Sequence, residues 1–254
     1  MSVAILTLPG YDINADVAFS AMIKNGGAPT DKDIICVENL IRGLKRDDVW
    51  SGLDLLNFMA LSRKENAAVD LVKARVGAFV NSPTFNAYGD MTGNGTSSYF
   101  DTNYNPAVNG VNFTQDNASF AIWRRTATAA TASLGGFFNG SNGITILPVA
   151  GNFTNRLNQA TVGNQTQTSV RGLHAVSRTA STVVIPYVNG TGLTPGSVVS
   201  TAVVSNNLYL GRSAAASFSN QPISLGYAGR GFTAGENTKI YNRLLTALQY
   251  VGAE

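Results

Sequence analysis

The sequence lacks several of the residues on which common kinds of site depend. Its 254 residues include one cysteine, Cys36, and one histidine, His174. A single cysteine excludes a disulfide framework and a cysteine-based zinc site, and a single histidine excludes a metal site built from several histidines. The apolar runs are far shorter than the roughly 20 residues that span a bilayer, so we expect no membrane insertion. The segment MSVAILTLPGYDIN carries no Lys or Arg before its apolar run, so we expect no signal peptide.

Charged residues are also scarce, and they are distributed unevenly. The net charge of +3 is too small by itself to indicate a nucleic-acid partner. Residues 1–80 hold ten acidic and nine basic side chains, whereas residues 81–254 hold five and nine. The second stretch is rich in Gly, Asn, Thr and Ser, which is typical of short strands and turns. We therefore predict a helical N-terminal module over 1–80 and a second domain over 81–254.

The apolar spacing in the first 80 residues predicts short helices. Thr30 or Asp31 is predicted to cap a helix that runs to about Lys45. Its apolar stripe consists of Ile34, Val37, Ile41 and Leu44. Two further helical segments are predicted, over 50–59 and 65–74. Two interpretations of the stripe remain open: it packs within the module, or it meets copies of itself in an oligomer.

Residues 81–254 carry the pattern of many short strands joined by tight turns. The predicted strands lie within the segments 118–126, 173–179, 181–189, 207–212 and 223–231. Asn-Gly pairs, the strongest short-range signal for a hairpin turn, occur at 94–95, 109–110, 139–140, 142–143 and 189–190. This frequency of turns predicts an antiparallel β-sandwich. Thr233 and Glu236 form a capping-box pattern that predicts a closing C-terminal helix, which we expect to lie across the sandwich.

Several segments resemble a known family. SSYFDTNYNPAVNGVNFTQDNASFAIWRRT (97–126), GLHAVSRTASTVVIPYVNG (172–190), NLYLGRS (207–213) and SLGYAGRGFTAGENTKIYNRLLTALQYVGA (224–253) resemble the concanavalin A-like lectin/glucanase jelly rolls of bacteriophage tail and appendage proteins. The segment 39–60 resembles the short helical segment that precedes these jelly rolls in phage fibres. The resemblance implies a mainly β, antiparallel jelly-roll sandwich, preceded by a small helical module and closed by a C-terminal helix.

The resemblance also implies a place and partners for the protein. We expect a structural virion protein of a phage tail, fibre or head appendage, made in the host cytoplasm and located on the extracellular particle. Its expected partners are other virion proteins, further copies of itself, with a trimer favoured, and cell-surface glycans at an exposed jelly roll. Because this fold hosts lectins, hydrolases and structural modules alike, a stand-alone glycan-binding lectin and a glycoside hydrolase remain alternatives.

The carboxylates of the second domain argue against the hydrolase. Sandwich glycosidases need a pair of carboxylates at a defined separation. The acidic residues here are Asp90, Asp101, Asp116, Glu236 and Glu254, and no two are two or four residues apart. Only Asp101 and Asp116 could meet across the fold. His174 lies in an alternating strand pattern without a nucleophile elbow, so we expect neither an enzyme nor a cofactor.

Asp101, Asn103 and Asn105 alternate and could present oxygens to a calcium ion. A strand end followed by an Asn-Pro turn explains the same pattern, so we predict no metal site.

A glycan site usually combines an aromatic platform with polar groups around the sugar. The predicted glycan-binding residues are Trp123, Tyr99, Tyr104 and Asp101. Three further tyrosines are weaker candidates for the platform: Tyr187, Tyr209 and Tyr227. For every one of these rings, packing in the core is the competing interpretation.

Overall fold

The computed structural model describes residues 10–128 and 132–254, which form two facing β-sheets with a helical layer on one side. In chain order the strands are β1 (Leu53–Phe58), β2 (Ala78–Val80), β3 (Thr84–Asn86), β4 (Asp90–Thr92), β5 (Tyr99–Asp101), β6 (Ala118–Arg124), β7 (Gly135–Phe138), β8 (Gly143–Val149), β9 (Asn152–Leu157), β10 (Gly163–Thr166), β11 (Gly172–Ala180), β12 (Val183–Val188), β13 (Thr191–Gly192), β14 (Gly196–Ser197), β15 (Tyr209–Leu210), β16 (Arg212–Ala214), β17 (Ser217–Phe218) and β18 (Pro222–Gly229).

All strand pairs recorded in the two sheets are antiparallel. One sheet has the order β13-β12-β11-β6-β18-β4-β3, with β1 also paired to β18 and β14 to β12. The other has the order β10-β9-β8-β7-β15-β5-β2, and β16 and β17 form a separate hairpin. We call them the nine-stranded and seven-stranded sheets. The mainly β sandwich with an N-terminal helical part and a C-terminal helix confirms the predicted fold class.

Side-chain caps mark the starts of α1, α2, α4 and α5, whose bounds are given next with those of α3. The helices are α1 (Ile13–Lys24), α2 (Asp31–Arg46), α3 (Lys64–Ala67), α4 (Pro106–Asn109) and α5 (Ala234–Val251). Thr30 and Thr233 cap α2 and α5, each in a reciprocal capping box with the acidic residue three positions later. Both caps follow the sequence-based prediction. Helix α1, capped by the Asp12 side chain, is an addition to the predicted elements.

Helices α2 and α5 pack side by side at close range. A Cβ at Gly43 of α2 would lie 2.7 Å from Cδ of Arg243 in α5, so glycine permits the approach. The stripe residues Val37, Ile41 and Leu44 are all fully buried within the chain. The fourth stripe residue, Ile34, is half-buried. The structure therefore supports packing within the chain for most of this stripe.

Two of the helical segments predicted in the first 80 residues have a different structure. Residues 53–58 form β1, every residue of which is buried, and it pairs with β18 inside the nine-stranded sheet. Leu53 and Leu56 are three residues apart and so mimic a helical period, whereas Asp54 is buried among hydrogen bonds. Of the segment 65–74, only the single turn of α3 is helical. Both sheets thus take strands from before residue 80, and a boundary at that residue stays a prediction.

Alternation along β6 assigns the two faces of the nine-stranded sheet. Trp123 points outward to α5, where its ring stacks on Tyr241. Ile122 and Arg124 point inward, toward Gly135 and the Pro148 carbonyl of the seven-stranded sheet. The outer face of the nine-stranded sheet is therefore covered by α5.

Candidate functional site

Trp123 is buried under the C-terminal helix. Its side chain is 2% exposed, and its ring stacks on Tyr241 at 5.6 Å between centroids and 6° between planes. Its Nε1–H donates a hydrogen bond to Oε1 of Glu254 at 2.8 Å. Helix and carboxylate thus occupy the surfaces that a sugar would need, so the predicted platform is a packing residue.

Tyr104 is buried at the opposite end of the sandwich. Its ring is completely buried, and the Arg75 guanidinium lies 4.9 Å from the ring centroid. Its hydroxyl donates to the Asp54 carboxylate at 3.3 Å, and burial, together with the Asp54 charge, raises the pKa of the phenol. Tyr104 and Asp54 thus join a loop to β1, and the ring offers no surface to a ligand.

Tyr99 and Asp101 lie on the outer face of the seven-stranded sheet, where they are half-buried. The ring of Tyr99 meets the ring of Tyr209 edge-on at 5.1 Å and lies 6.0 Å from that of Phe218. Oδ1 of Asp101 accepts hydrogen bonds from the Asn103 N–H at 2.8 Å and from Nδ2 of Asn207 at 3.0 Å. These two predicted residues are therefore brought together on one accessible face.

Arg212 completes this group, which we call the aromatic–arginine cluster: Tyr99, Tyr209, Phe218 and Arg212. Its guanidinium carbon lies 4.7 Å, 4.9 Å and 5.4 Å from the centroids of the three rings. Partial burial is the main cause of a raised pKa at Tyr209; the Asp101 charge adds to it and the Arg212 charge opposes it. The sequence pattern of NLYLGR indicates a strand but offers no reason to single out Arg212, because its position over the rings depends on the β16–β17 hairpin.

The cluster offers the groups that hold a sugar. The rings of Tyr99, Tyr209 and Phe218 supply apolar surface, Asp101 supplies acceptor oxygens, and Arg212 supplies charged donors. All four cluster residues and Asp101 are half-buried, so they combine a fixed geometry with access from solvent. The arrangement suits binding, with aromatic contact and hydrogen bonding on the same face.

The residues weighed for calcium do not assemble into a site. The Asn105 side-chain oxygen caps α4 by accepting from the Ala107 N–H, and Nδ2 of Asn103 donates to the Val76 carbonyl. Asp101 is engaged by Asn103 and Asn207. Across residues 10–128 and 132–254, no three side chains of His, Cys, Asp or Glu are grouped to hold a metal ion.

The residues weighed for catalysis have separate partners. Asp101 lies in β5 with Asn207, while Asp116 lies in an exposed turn and accepts from the Ser200 hydroxyl at 2.5 Å. His174 is completely buried between the sheets, with Nδ1 3.2 Å from the Gly172 carbonyl. Burial, assisted by the Arg124 charge, lowers the pKa of His174 to about 4. None of these groups adjoins the aromatic–arginine cluster except Asp101.

In the part of the chain that the structure describes, no helix is long and apolar enough to cross a bilayer.

Comparison with known families and with curated proteins finds no match for this sequence. Solved structures share the fold at low identity. The botulinum neurotoxin serotype D binding domain is 10% identical with a TM-score of 0.55, over 76% of this chain and 52% of that chain. Domain 4 of an extracellular arabinanase from Geobacillus stearothermophilus, solved with arabinotriose, is 12% identical with a TM-score of 0.50, over 74% of this chain and 97% of that chain.

A sialidase from Trypanosoma rangeli is 11% identical with a TM-score of 0.53, over 82% of this chain. This chain spans 52% of the neurotoxin domain's length and 39% of the sialidase's. At these identities the similarity establishes the architecture alone. The chain has the antiparallel β-sandwich that these chains also contain.

Proposed function

We propose that this chain is a glycan-binding β-sandwich that binds without turnover and is carried on a phage tail, fibre or appendage. The observation that carries the binding function is the aromatic–arginine cluster beside Asp101, on the one sandwich face that no helix of the described chain covers. Its three rings and its charged donor form the combination by which proteins hold pyranose rings.

Two solved neighbours support binding of carbohydrate by this architecture. The arabinanase domain is in complex with arabinotriose, and botulinum neurotoxin type C depends on interaction with two ganglioside molecules to enter cells. The type C structure is 13% identical with a TM-score of 0.56, over 78% of this chain and 53% of that chain. These ligands belong to those proteins; for this chain they favour the lectin-like alternative over a purely structural one.

The placement on a phage particle rests on the sequence segments that resemble phage jelly rolls. The helical layer offers a surface for attachment, because apolar side chains of α1 are exposed: Ile13 by 69%, Val17 by 41% and Ile23 by 62%. We propose that this surface contacts other virion proteins or further copies of the chain, with a trimer favoured. The free protein should then sediment as a multimer if copies of the chain are the partner, and as a monomer otherwise.

A glycan array tests the binding function. The wild-type chain should bind a restricted set of glycans, and Tyr99→Ala should reduce that binding by about tenfold, since aromatic contacts contribute about 1 kcal/mol or more. Tyr250→Ala is the matched control, because Tyr250 is 45% exposed on α5, on the helical side. Equal losses in both variants, or no glycan bound by the wild type, would contradict the proposal.

Immunogold electron microscopy of the particle fraction from the source culture tests the location. Antibody against the sandwich should label particles, and the labelled position distinguishes a tip from a shaft or shell. Unlabelled particles with the protein in the soluble fraction would favour the stand-alone lectin.

A further inference from the structure

Two arginines in the sandwich differ from the others in their surroundings. Among those from residue 81 onward, four form ion pairs with carboxylates at 2.5–2.8 Å: Arg125, Arg171, Arg230 and Arg243. Two are completely buried: Arg124 and Arg178. Arg156 and Arg212 are half-buried, and neither forms a salt bridge with any residue that the structure describes. The remaining residues, 1–9 and 129–131, contain no Asp or Glu that could pair with them.

Each of these two guanidinium groups lies over aromatic rings. Arg212 belongs to the aromatic–arginine cluster, and Arg156 lies 4.1 Å from the ring centroid of Phe138. Their Nε–H groups donate to the Ala214 and Ala160 carbonyls at 3.1 Å. These bonds occupy Nε, while no carboxylate pairs with the terminal nitrogens. Both guanidinium groups are therefore held in place without a carboxylate partner.

The strand register places both arginines on one face of the seven-stranded sheet. Arg156 of β9 pairs with Thr145, Thr145 with Gly136, and Gly136 with Tyr209, which lies under Arg212. Directly paired residues of antiparallel strands point to the same side. With strands about 4.8 Å apart, the three steps from β9 to β15 span roughly 14 Å. The two charges thus mark the ends of a row that crosses the sheet.

Between the two arginines the row runs through Thr145 and Gly136, and both residues are buried. The backbone requires glycine at position 136. Its φ is +112°, and a Cβ there would lie 1.8 Å from the Ile144 carbonyl oxygen. The backbone conformation and this contact both exclude a larger residue. The two arginines are therefore separate contact points on one face, with buried sheet between them. We call Arg156 and Arg212 together the two-arginine surface.

We propose that the two-arginine surface binds an acidic oligosaccharide, with one sugar carboxylate at Arg212 and a second at Arg156. The inference rests on the proposed glycan-binding function and adds the charge of the ligand and a second contact point. A guanidinium fork matches a carboxylate in a planar, bidentate geometry. A neutral sugar would leave both charges uncompensated. Asp101 next to Tyr209 disfavours a dense polyanion such as a nucleic acid.

Calorimetry with matched pairs of oligosaccharides tests the proposal. The probes are oligogalacturonate, oligomannuronate and oligosialic acid, each beside its carboxyl-reduced counterpart, which keeps the linkage and removes the charge. At least one acidic probe should bind the wild-type chain at least about tenfold tighter than its reduced counterpart, the change expected for one charged hydrogen bond. This comparison needs no variant, so it stands even if a substitution fails to fold.

Substitutions then locate the two ends. Arg156→Gln and Arg212→Gln should each weaken binding of the acidic probe about tenfold while the chain stays folded, as circular dichroism checks. Arg63→Gln is the matched control, because Arg63 is exposed in the turn before α3, outside the seven-stranded sheet. Its affinity should equal that of the wild type.

The outcomes separate the two proposals. Equal affinity for acidic and reduced probes, or full affinity in Arg156→Gln or Arg212→Gln, would overturn the acidic ligand at the two-arginine surface and leave glycan binding intact. Binding only to neutral glycans of the array would do the same. Failure of every probe and every array glycan would overturn both.

Discussion

The two outer faces of this sandwich carry similar aromatic residues in opposite surroundings. On the nine-stranded sheet, Trp123 lies under α5 and is 2% exposed. On the seven-stranded sheet, Tyr99 and Tyr209 are half-buried, and no helix of the described chain covers them. The comparison teaches that an aromatic residue on a strand becomes available to a ligand only where no other layer packs on that strand. Side-chain alternation in the sequence predicts on which face of a sheet a residue lies. It does not predict whether another layer packs on that face.

The largest expected effect comes from a substitution on the outer face of the nine-stranded sheet, which α5 covers. Trp123→Ala should lower the free energy of unfolding by about 3–5 kcal/mol, because it removes a buried ring and leaves a cavity against Tyr241. Chemical denaturation measures the loss. Glycan binding per folded molecule should be unchanged. A folded variant that no longer binds glycan would show that the covered face, and not the bare one, carries the site.

The next effect concerns His174, which is buried between the two sheets. The pKa of His174 is lowered from 6.5 to about 4, mainly by burial and further by the Arg124 charge. Between those values the unfolded chain binds a proton that the folded chain does not, so stability falls as the pH falls from 6.5 to 4. The full shift corresponds to about 3 kcal/mol. Denaturation curves at pH 7 and pH 4.5 measure the difference.

His174→Gln tests the cause of that slope. Glutamine does not titrate, so the part of the pH dependence between 4 and 6.5 should disappear even if the variant is less stable at pH 7. An unchanged slope would assign it to other groups. A histidine ring proton that titrates near 6.5 in the folded protein would contradict the lowered pKa directly.

A smaller stability effect is expected on the outer face of the seven-stranded sheet, which we call the bare face. Tyr209→Ala removes one cross-strand ring and should cost about 1 kcal/mol of unfolding free energy, well below Trp123→Ala. Its glycan binding should nevertheless fall, because the ring belongs to the aromatic–arginine cluster. If Tyr209→Ala lowered stability but left glycan binding unchanged, the assignment of the glycan site to this face would be contradicted.

The sequence is most informative where structure is local. The capping box at Thr233 places the start of α5 to the residue, and the pair Thr30-Asp31 places the start of α2 to within one residue. The Asn189-Gly190 pair is a hairpin turn with φ of 51° and 77°, between Val188 and its partner Thr191. These signals need only neighbouring residues, so a single sequence contains them.

Prediction fails where distant contacts decide. The three-residue spacing of Leu53 and Leu56 predicts a helix, yet pairing with β18 makes this segment the strand β1. Trp123 and Tyr104 have the chemistry of glycan platforms, but α5 covers the Trp123 ring and the Tyr104 ring is completely buried. Arg212 escapes prediction because a hairpin brings it over rings from other strands.

The smallest expected effect concerns the start of α5, the helix that covers the nine-stranded sheet. The pKa of Glu236 is lowered from 4.5 to about 2, first by Arg230, which pairs with it at 2.6 Å, and then by its capping bonds to Thr233. This stabilisation is present above pH 4.5 and is lost as the pH falls toward 2. Because the pair is partly exposed, Glu236→Gln should cost at most about 1 kcal/mol at pH 7 and flatten the acid limb of the stability curve.

Glu65→Gln in α3 is the matched control for that substitution, and it should leave the acid limb unchanged. Loosening the start of α5 should also alter the fluorescence of Trp123, since that ring is stacked on the helix. The bare face does not depend on α5, so glycan affinity should stay constant while the fluorescence changes. A parallel loss of affinity would mean that the two faces are mechanically linked through the sandwich, and that the cover on one sheet sets the geometry of the other.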